Sequence, residues 1–231
     1  MMETVLKFEN VSFAYQDGQR KLQVLKDSNV SFDKGVFYSI VGPSGSGKTT
    51  AIALLGALDV PQKGRVLYMD KDIRSIGLTK YRRNNISLIF QSYNLINYMT
   101  ALENIIMAMD ISGSHKGNRK AAALQLLTDL GLDPAEHANR NVLKLSGGEQ
   151  QRVAIARALA SEADIILADE PTGNLDPETA QSIVDILKKL AIDYGKCVIA
   201  VTHSMEVANL SDVIYRFEKG TLIKQVKQDN K

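Results

Sequence analysis

The sequence predicts an α/β fold in which a mainly parallel core sheet carries an N-terminal antiparallel β subdomain and an inserted α-helical subdomain. Three observations predict it. Residues 4–32 alternate apolar and polar side chains on either side of a QDGQ turn, the period-two signature of antiparallel strands. Four short apolar runs follow: VFYSIV (36–41), ISLIF (86–90), IILA (165–168) and VIAV (198–201). These are continuous rather than alternating, as strands buried on both faces of a parallel sheet are. Between the second and third runs lie the helix formers ALENIIMAMDI, RKAAALQLLTDLGL and EQQRVAIARALA, separated by SGSHKGN and DPAEHANRN. The expectation is one domain over 1–231, with its core in 1–91 and 161–231 and the helical subdomain in 92–160. In EQQRVAIARALA, Val153, Ala156 and Ala160 share a face, which predicts a helix packed on one side. The basic KYRR cluster at 80–83 reads as a solvated face, and the polar stretch from Glu218 to Lys231 as a last strand with a frayed end.

A chain of 231 residues can bury a sizeable core without disulfides, and 45% hydrophobic with 23% charged residues excludes wholesale disorder. Lys and Arg number 28 against 26 Asp and Glu, a net charge of +2, so no global field draws nucleic acid or an acidic membrane. No nucleic-acid partner is expected. The single cysteine, Cys197, sits among apolar neighbours and reads as a buried thiol in a reducing compartment. The start MMETVLKFEN is neither basic nor apolar and carries no export or import signal, which predicts a cytosolic location. No apolar run nears the roughly 20 residues that span a bilayer, so any spanning segment is expected in another chain.

Each parallel run ends in polar residues: the glycine-rich loop from Gly42, then Gln91, then Asp169 and Glu170, then Thr202 and His203. Open parallel sheets bind ligands beyond the carboxyl ends of their strands, so these four sets are expected to converge on one crevice. GPSGSGKT (Gly42, Pro43, Ser44, Gly45, Ser46, Gly47, Lys48, Thr49), with Thr50 following, stands between a strand and a helix and fits the phosphate-loop pattern. Backbone N–H groups would cradle phosphates, Lys48 contact the outer ones, and Thr49 meet a magnesium ion. The fold is therefore expected to be that of a P-loop NTPase. Asp169 and Glu170 are two adjacent carboxylates just past a buried strand, where isolated charge is costly. Asp169 suits the metal ligand and Glu170 the base that deprotonates an attacking water. In LSGGEQQR, Ser146, Gly147 and Gly148 precede a helix and form a second anion site, which suits a phosphate held by another copy.

With these motifs the chain resembles, over nearly its whole length, the nucleotide-binding domain of ABC transporters. GPSGSGKT resembles the Walker A loop of that family, LSGGE its signature, and IILADE its Walker B with catalytic glutamate. Tyr15 resembles the adenine-stacking aromatic, Gln91 the Q-loop glutamine that reaches metal and water, Asn174-Leu175-Asp176 the D-loop, and His203 the switch histidine. EPTGNLD, TALEN and LSGGEQQRVAIARAL are similar to the branch of macrolide and antimicrobial-peptide exporters and lipoprotein-releasing ATPases. Val36 stands where that branch commonly has Glu, and Ser204 where Asp often follows the histidine; neither removes a catalytic group. The resemblance implies ATP and Mg2+ as cofactors and a head-to-tail homodimer formed on ATP binding. It also implies an integral membrane permease as partner, with an extracytoplasmic adaptor protein in some members, and a peripheral place at the cytoplasmic face of the membrane. A force-transmitting ATPase of cell division or lipoprotein release uses the same parts, as does a soluble ABC ATPase, although the coiled-coil insertion or tandem cassette usual in the latter is absent.

Some positions carry two readings. Tyr15 alternates with Val11 and Phe13 and could be core, while its place before the turn favours stacking. His203 could be a core histidine or a phosphate ligand, and Gln91 could merely end its strand. Tyr93, Leu95, Tyr98 and Met99 fit either subdomain core or a groove for a partner helix.

Overall fold

The structure, a computed structural model, describes residues 3–18 and 20–225. Strands β1 (Thr4–Asp17) and β2 (Arg20–Asp33) form the expected antiparallel hairpin, and β4 (Lys63–Tyr68) and β5 (Lys71–Asp72) extend it in the order β2-β1-β4-β5. The four apolar runs become β3 (Phe37–Val41), β6 (Ile86–Phe90), β7 (Ile165–Asp169) and β8 (Cys197–Thr202). Together with β9 (Val213–Glu218) and β10 (Thr221–Gln225) they make a six-stranded sheet, β10-β9-β3-β8-β7-β6. Its inner pairs are parallel, and only β10 runs antiparallel at the edge. The expected last strand is thus β10, while the frayed end beyond it lies outside the described residues, as do Met1 and Met2.

Both faces of this sheet are covered, and side chains alternate between two cores with the period of two that a strand imposes. From β7, Ile165 and Leu167 enter the core shared with the antiparallel sheet and α1 (Lys48–Leu55), while Ile166 and Ala168 face the helices. From β8, Cys197, Ile199 and Val201 point one way, Val198 and Ala200 the other. Cys197 is fully buried, and burial pushes its thiol far up from the ordinary range.

After β5 come two helices that composition did not announce, α2 (Ile73–Ile76) and α3 (Leu78–Asn85). They divide KYRR: Lys80 and Arg83 are exposed as expected, while Tyr81 and Arg82 turn inward. Tyr81 is fully buried and its hydroxyl donates to the Leu55 carbonyl at 3.0 Å, while Arg82 donates to the Ala57 carbonyl at 2.6 Å. The helical region contains α4 (Ala101–Ser112), α5 (Arg119–Asp129), the short α6 (Pro134–His137) and α7 (Gly147–Ala160). Thr100 and Glu103 close a reciprocal capping box at the start of α4, a helix start that TALEN encodes. Helix α7 is not packed on one side as expected: Ala154, Ile155, Ala158 and Leu159 are buried as well as Val153, Ala156 and Ala160. It lies between α4 and α5 on one flank and β6 and α8 (Pro177–Ile192) on the other, and its small alanines let all four approach. The last helix, α9 (Met205–Asn209), follows β8.

One strand position depends on glycine absolutely, at the bulge in the β1–β4 pairing. Gly64 has φ +76°, and a Cβ there would lie 2.2 Å from the Asn10 carbonyl oxygen, inside the β1–β4 pairing. We expect Gly64→Ala to cost about 1–3 kcal/mol through backbone strain alone, more with the clash. Urea unfolding followed by circular dichroism checks it; a midpoint equal to that of the wild type would contradict this account.

Candidate active site

The strand register sets the ends of four neighbouring strands level. Val41 pairs with Thr202, Asp169 with Val201, and Phe90 with Asp169. The residues that follow, namely the Gly42 loop, His203, Glu170 and Gln91, therefore leave one edge of the sheet side by side, at the ~4.8 Å spacing of strands.

The phosphate loop keeps its shape because of what its glycines allow. Gly47 has φ +114°, and a Cβ there would fall 2.3 Å from Val24 Cγ1 and 2.9 Å from Phe217 Cζ. These walls come from β2 and β9, which no local pattern links to the loop. The first helical hydrogen bond runs from the Ala51 N–H to the Gly47 carbonyl at 2.9 Å, so the N–H groups of Lys48, Thr49 and Thr50 have no intrahelical acceptor and form an anion site. Lys48 is 7% exposed and its Nζ donates to the carbonyls of Gly42 and Pro43 at 2.9 and 3.0 Å, which suspends the ammonium over the loop. Ser46 Oγ is buried and has no hydrogen-bond partner. Tyr15 is 45% exposed, with its hydroxyl 3.2 Å from Thr50 Oγ1 and its ring edge-on to Phe13. It is therefore an exposed aromatic face beside the loop rather than a core tyrosine.

Asp169 Oδ1 is a second buried oxygen without a partner. Burial and then repulsion from Glu170 raise the pKa of this carboxyl, against the opposing pull of Lys48 and the Thr49 hydroxyl. Glu170 adopts a left-handed backbone, φ 48°, fixed by its N–H donating to the Val201 carbonyl at 3.0 Å. Its Oε2 lies 3.0 Å from His203 Nδ1. The His203 side chain is 67% exposed, which removes the core-histidine reading and leaves the imidazole open beside the carboxylate. Gln91 is paired differently from the expectation of metal contact: its Nε2 donates to Asn174 Oδ1, and Asn174 Nδ2 donates back to the Gln91 carbonyl, both at 3.1 Å. The structure thus joins the loop after β6 to the loop before α8, a link that spacing along the chain does not announce. Asp176 in that second loop caps α8, accepting from the Thr179 N–H at 3.0 Å, and the Thr179 hydroxyl, then this N–H, hold its carboxyl below the ordinary range.

Tyr93, Leu175 and Thr179 surround Gly147 and Gly148. Ser146 caps α7, and a Cβ on Gly147 would meet Tyr93 Oη at 2.8 Å, while one on Gly148 would meet Thr179 Cγ2 at 2.6 Å. The free N–H groups of this helix start are a second anion site. Arg157, at the other end of α7, donates to the carbonyls of Tyr93 and Asn94, whose backbones are both left-handed. Burial lowers the pKa of its guanidinium. Sequence reasoning did not single out this clamp, since a buried arginine and a solvated one read alike on a helix.

Comparison with known proteins places this geometry. The family model described as ABC transporter matches residues 25–173. The chain is 46% identical to an uncharacterized ABC transporter ATP-binding protein, YclH, of Bacillus subtilis, covering 94% of this chain and 95% of that protein. It is 40% identical to the lipoprotein-releasing system ATP-binding protein LolD of Saccharophagus degradans, over 97% of this chain and 99% of that protein. It is 42% identical to the macrolide export ATP-binding/permease protein MacB of Bartonella henselae, over 96% of this chain but 34% of that protein. Among solved structures it superposes with a TM-score of 0.84 on a dimeric post-hydrolysis state of the ATP-binding cassette MJ0796 bound to ADP and Pi, at 39% identity over 95% of this chain and 97% of that chain.

Proposed function

The chain belongs to the ABC transporter family as an ATP-binding, ATP-hydrolysing subunit, and from that premise we propose that it works as a head-to-tail dimer driving a separate membrane permease that exports amphiphiles such as antimicrobial peptides or macrolides. The observation that carries the reading is the convergence of Lys48, Asp169, Glu170 and His203 from the ends of three adjacent strands, with a second anion site at Ser146. Each ATP then lies between the phosphate loop of one copy and Ser146, Gly147 and Gly148 of the other. The dimeric MJ0796 cassette supports this arrangement.

Mg2+ fits the residues present. Asp169 Oδ1 is buried without a partner and the Thr49 hydroxyl lowers the pKa of the same carboxyl from close by, so two hard oxygen donors stand together. Among the described residues no group of three or more His, Cys, Asp or Glu could hold a metal alone, which suits an ion completed by phosphate oxygens and water. Bound there, Mg2+ would neutralise charge that builds on the phosphates. For hydrolysis, Lys48 and the free N–H groups of α1 hold the outer phosphates, Glu170 takes the proton of the attacking water, and His203 orients that carboxylate through its 3.0 Å contact.

Among the described residues no helix is long and apolar enough to cross a membrane; in this reading the protein sits peripherally on its permease at the cytoplasmic face of the membrane. An apolar groove of about 420 Å³ suits a short permease helix, with Leu88, Phe90, Met107 and Ile111 in its lining beside Arg82 and Arg83. Of the residues expected at such a groove, Leu95 is core and Tyr93 packs on the core, while Tyr98 stays 81% exposed. Phe90 lines the groove and Gln91, the next residue, holds Asn174 beside Glu170, so docking and catalysis are one residue apart. Ile111→Asp should abolish co-purification with the permease while the isolated subunit keeps its basal ATPase rate. Intact complex formation and transport in that variant would remove the groove from the account.

Lipoprotein release is the second reading, favoured by the match along 99% of LolD, itself an ATP-binding protein. Reconstitution with a partner permease decides between them: stimulation of ATPase by amphiphilic peptides or macrolides supports export, and stimulation by a lipoprotein supports release. An extracytoplasmic adaptor belongs to the export reading.

A further inference from the structure

The start of α7 is braced from behind. Glu149 Oε2 accepts from the Ser146 N–H at 2.7 Å, and Ser146 Oγ accepts from the Glu149 N–H at 3.4 Å. The other carboxylate oxygen, Oε1, lies 3.1 Å from His137 Nε2, while His137 Nδ1 lies 2.9 Å from the Asp133 carbonyl oxygen. A carbonyl oxygen can only accept, so Nδ1 carries a proton; an ionised carboxylate can only accept, so Nε2 carries one too. Both contacts of the ring are made together by the imidazolium. With the side chain 9% exposed, water is a poor substitute for either partner.

We propose that His137, doubly protonated, is a positioning residue for ATP hydrolysis: through Glu149 it holds Ser146 and the first N–H groups of α7 in place for the phosphate presented by the other copy. The inference rests on the reading of Ser146 as a ligand across the dimer. Burial opposes charge on the ring, but its hydrogen bonds to Asp133 and Glu149 outweigh this and hold its pKa above the ordinary imidazole value. The Ser146 N–H, and then His137, hold the Glu149 carboxyl below the ordinary range. The brace is therefore complete between these two pKa values. It is lost as pH rises through the raised value of His137, and at the acid end as pH falls through the lowered value of Glu149. Of the surrounding charges, Glu136 on α6 itself favours the imidazolium and stands 3.8 Å from Arg140. Asp129 at the end of α5, which also packs on α6, is engaged by Gln125 and Tyr194.

The test compares wild type, His137→Ala and His137→Gln as full-length protein with Mg2+ and ATP. His137→Ala should lower kcat about threefold to tenfold while the equilibrium ATP affinity of the monomer stays within about twofold, because the phosphate loop of the same copy is untouched. In His137→Gln the amide still donates to Glu149 and does not titrate, so kcat should return towards wild type and the decline of kcat as pH rises above the ordinary imidazole range should flatten. A His137→Gln profile that superposes on the wild type overturns the proposal, as does an alanine variant that loses ATP affinity in step with kcat. Should ATP fail to dimerise a Glu170→Gln protein, the trans reading of Ser146 falls and this inference with it. Dimerisation in that protein, with His137 variants of wild-type kcat and pH profile, overturns the brace alone.

Discussion

Replacing Glu170 by glutamine should slow ATP hydrolysis by about 100-fold or more and leave ATP binding intact. The amide keeps the volume and the left-handed backbone, since the main-chain hydrogen bond to Val201 does not involve the side chain. What it loses is the base. The amide also meets His203 Nδ1 without the negative charge that faces it now. Nucleotide then stays uncleaved between two copies, and the ATP-bound dimer should accumulate on size exclusion with Mg2+ and ATP. A variant that remains monomeric and turns over at the wild-type rate would sink both the catalytic role and the shared site.

The second large effect is expected at Lys48. Its ammonium is nearly buried and hydrogen-bonds the Gly42 and Pro43 carbonyls, neither of which is charged. A phosphate chain offers this ammonium a charged acceptor at the same place, and the alanine variant leaves that charge unmatched in a partly desolvated loop. Truncating one partner of such a pair costs about 2–5 kcal/mol, roughly 30-fold to several thousandfold in Kd. Isothermal titration with ATP reads this directly, and thermal melting shows whether the variant is folded. An affinity close to wild type in a folded Lys48→Ala protein would contradict the assignment of the loop.

The legibility of the sequence followed the range of the interactions. Strands β3, β6, β7 and β8 were readable because burial on both faces leaves unbroken apolar runs, and the polar residues that end them marked the crevice. Strand β9 was not, because Arg216 interrupts VIYRFE with a charge exposed at the surface. The amphipathic pattern of α8 is legible in the Asp176 cap and Pro177 that open it. In KYRR, Lys80 and Arg83 are solvated as composition suggests, whereas Arg82, which donates to the buried Ala57 carbonyl, looks in composition the same. In the site, Lys48, Asp169 and Glu170 announce themselves by local motif, whereas the Gln91–Asn174 pair spans 83 positions along the chain and exists only once the sheet has formed. The His137–Glu149 contact is hidden for the same reason, as it depends on where α6 comes to rest against α7.

The burial of Cys197 has a practical consequence. The only thiol of the chain is sealed in the sheet and held in its protonated form, while nucleophilic attack on maleimides and disulfides needs an accessible thiolate. The wild-type protein is thus a silent background for cysteine-directed chemistry. A cysteine placed at exposed Tyr98 would be the sole point of labelling, ready to carry a fluorophore or spin label. Two copies so labelled would report the approach of one molecule to another by energy transfer or dipolar coupling, with no native cysteine to remove first.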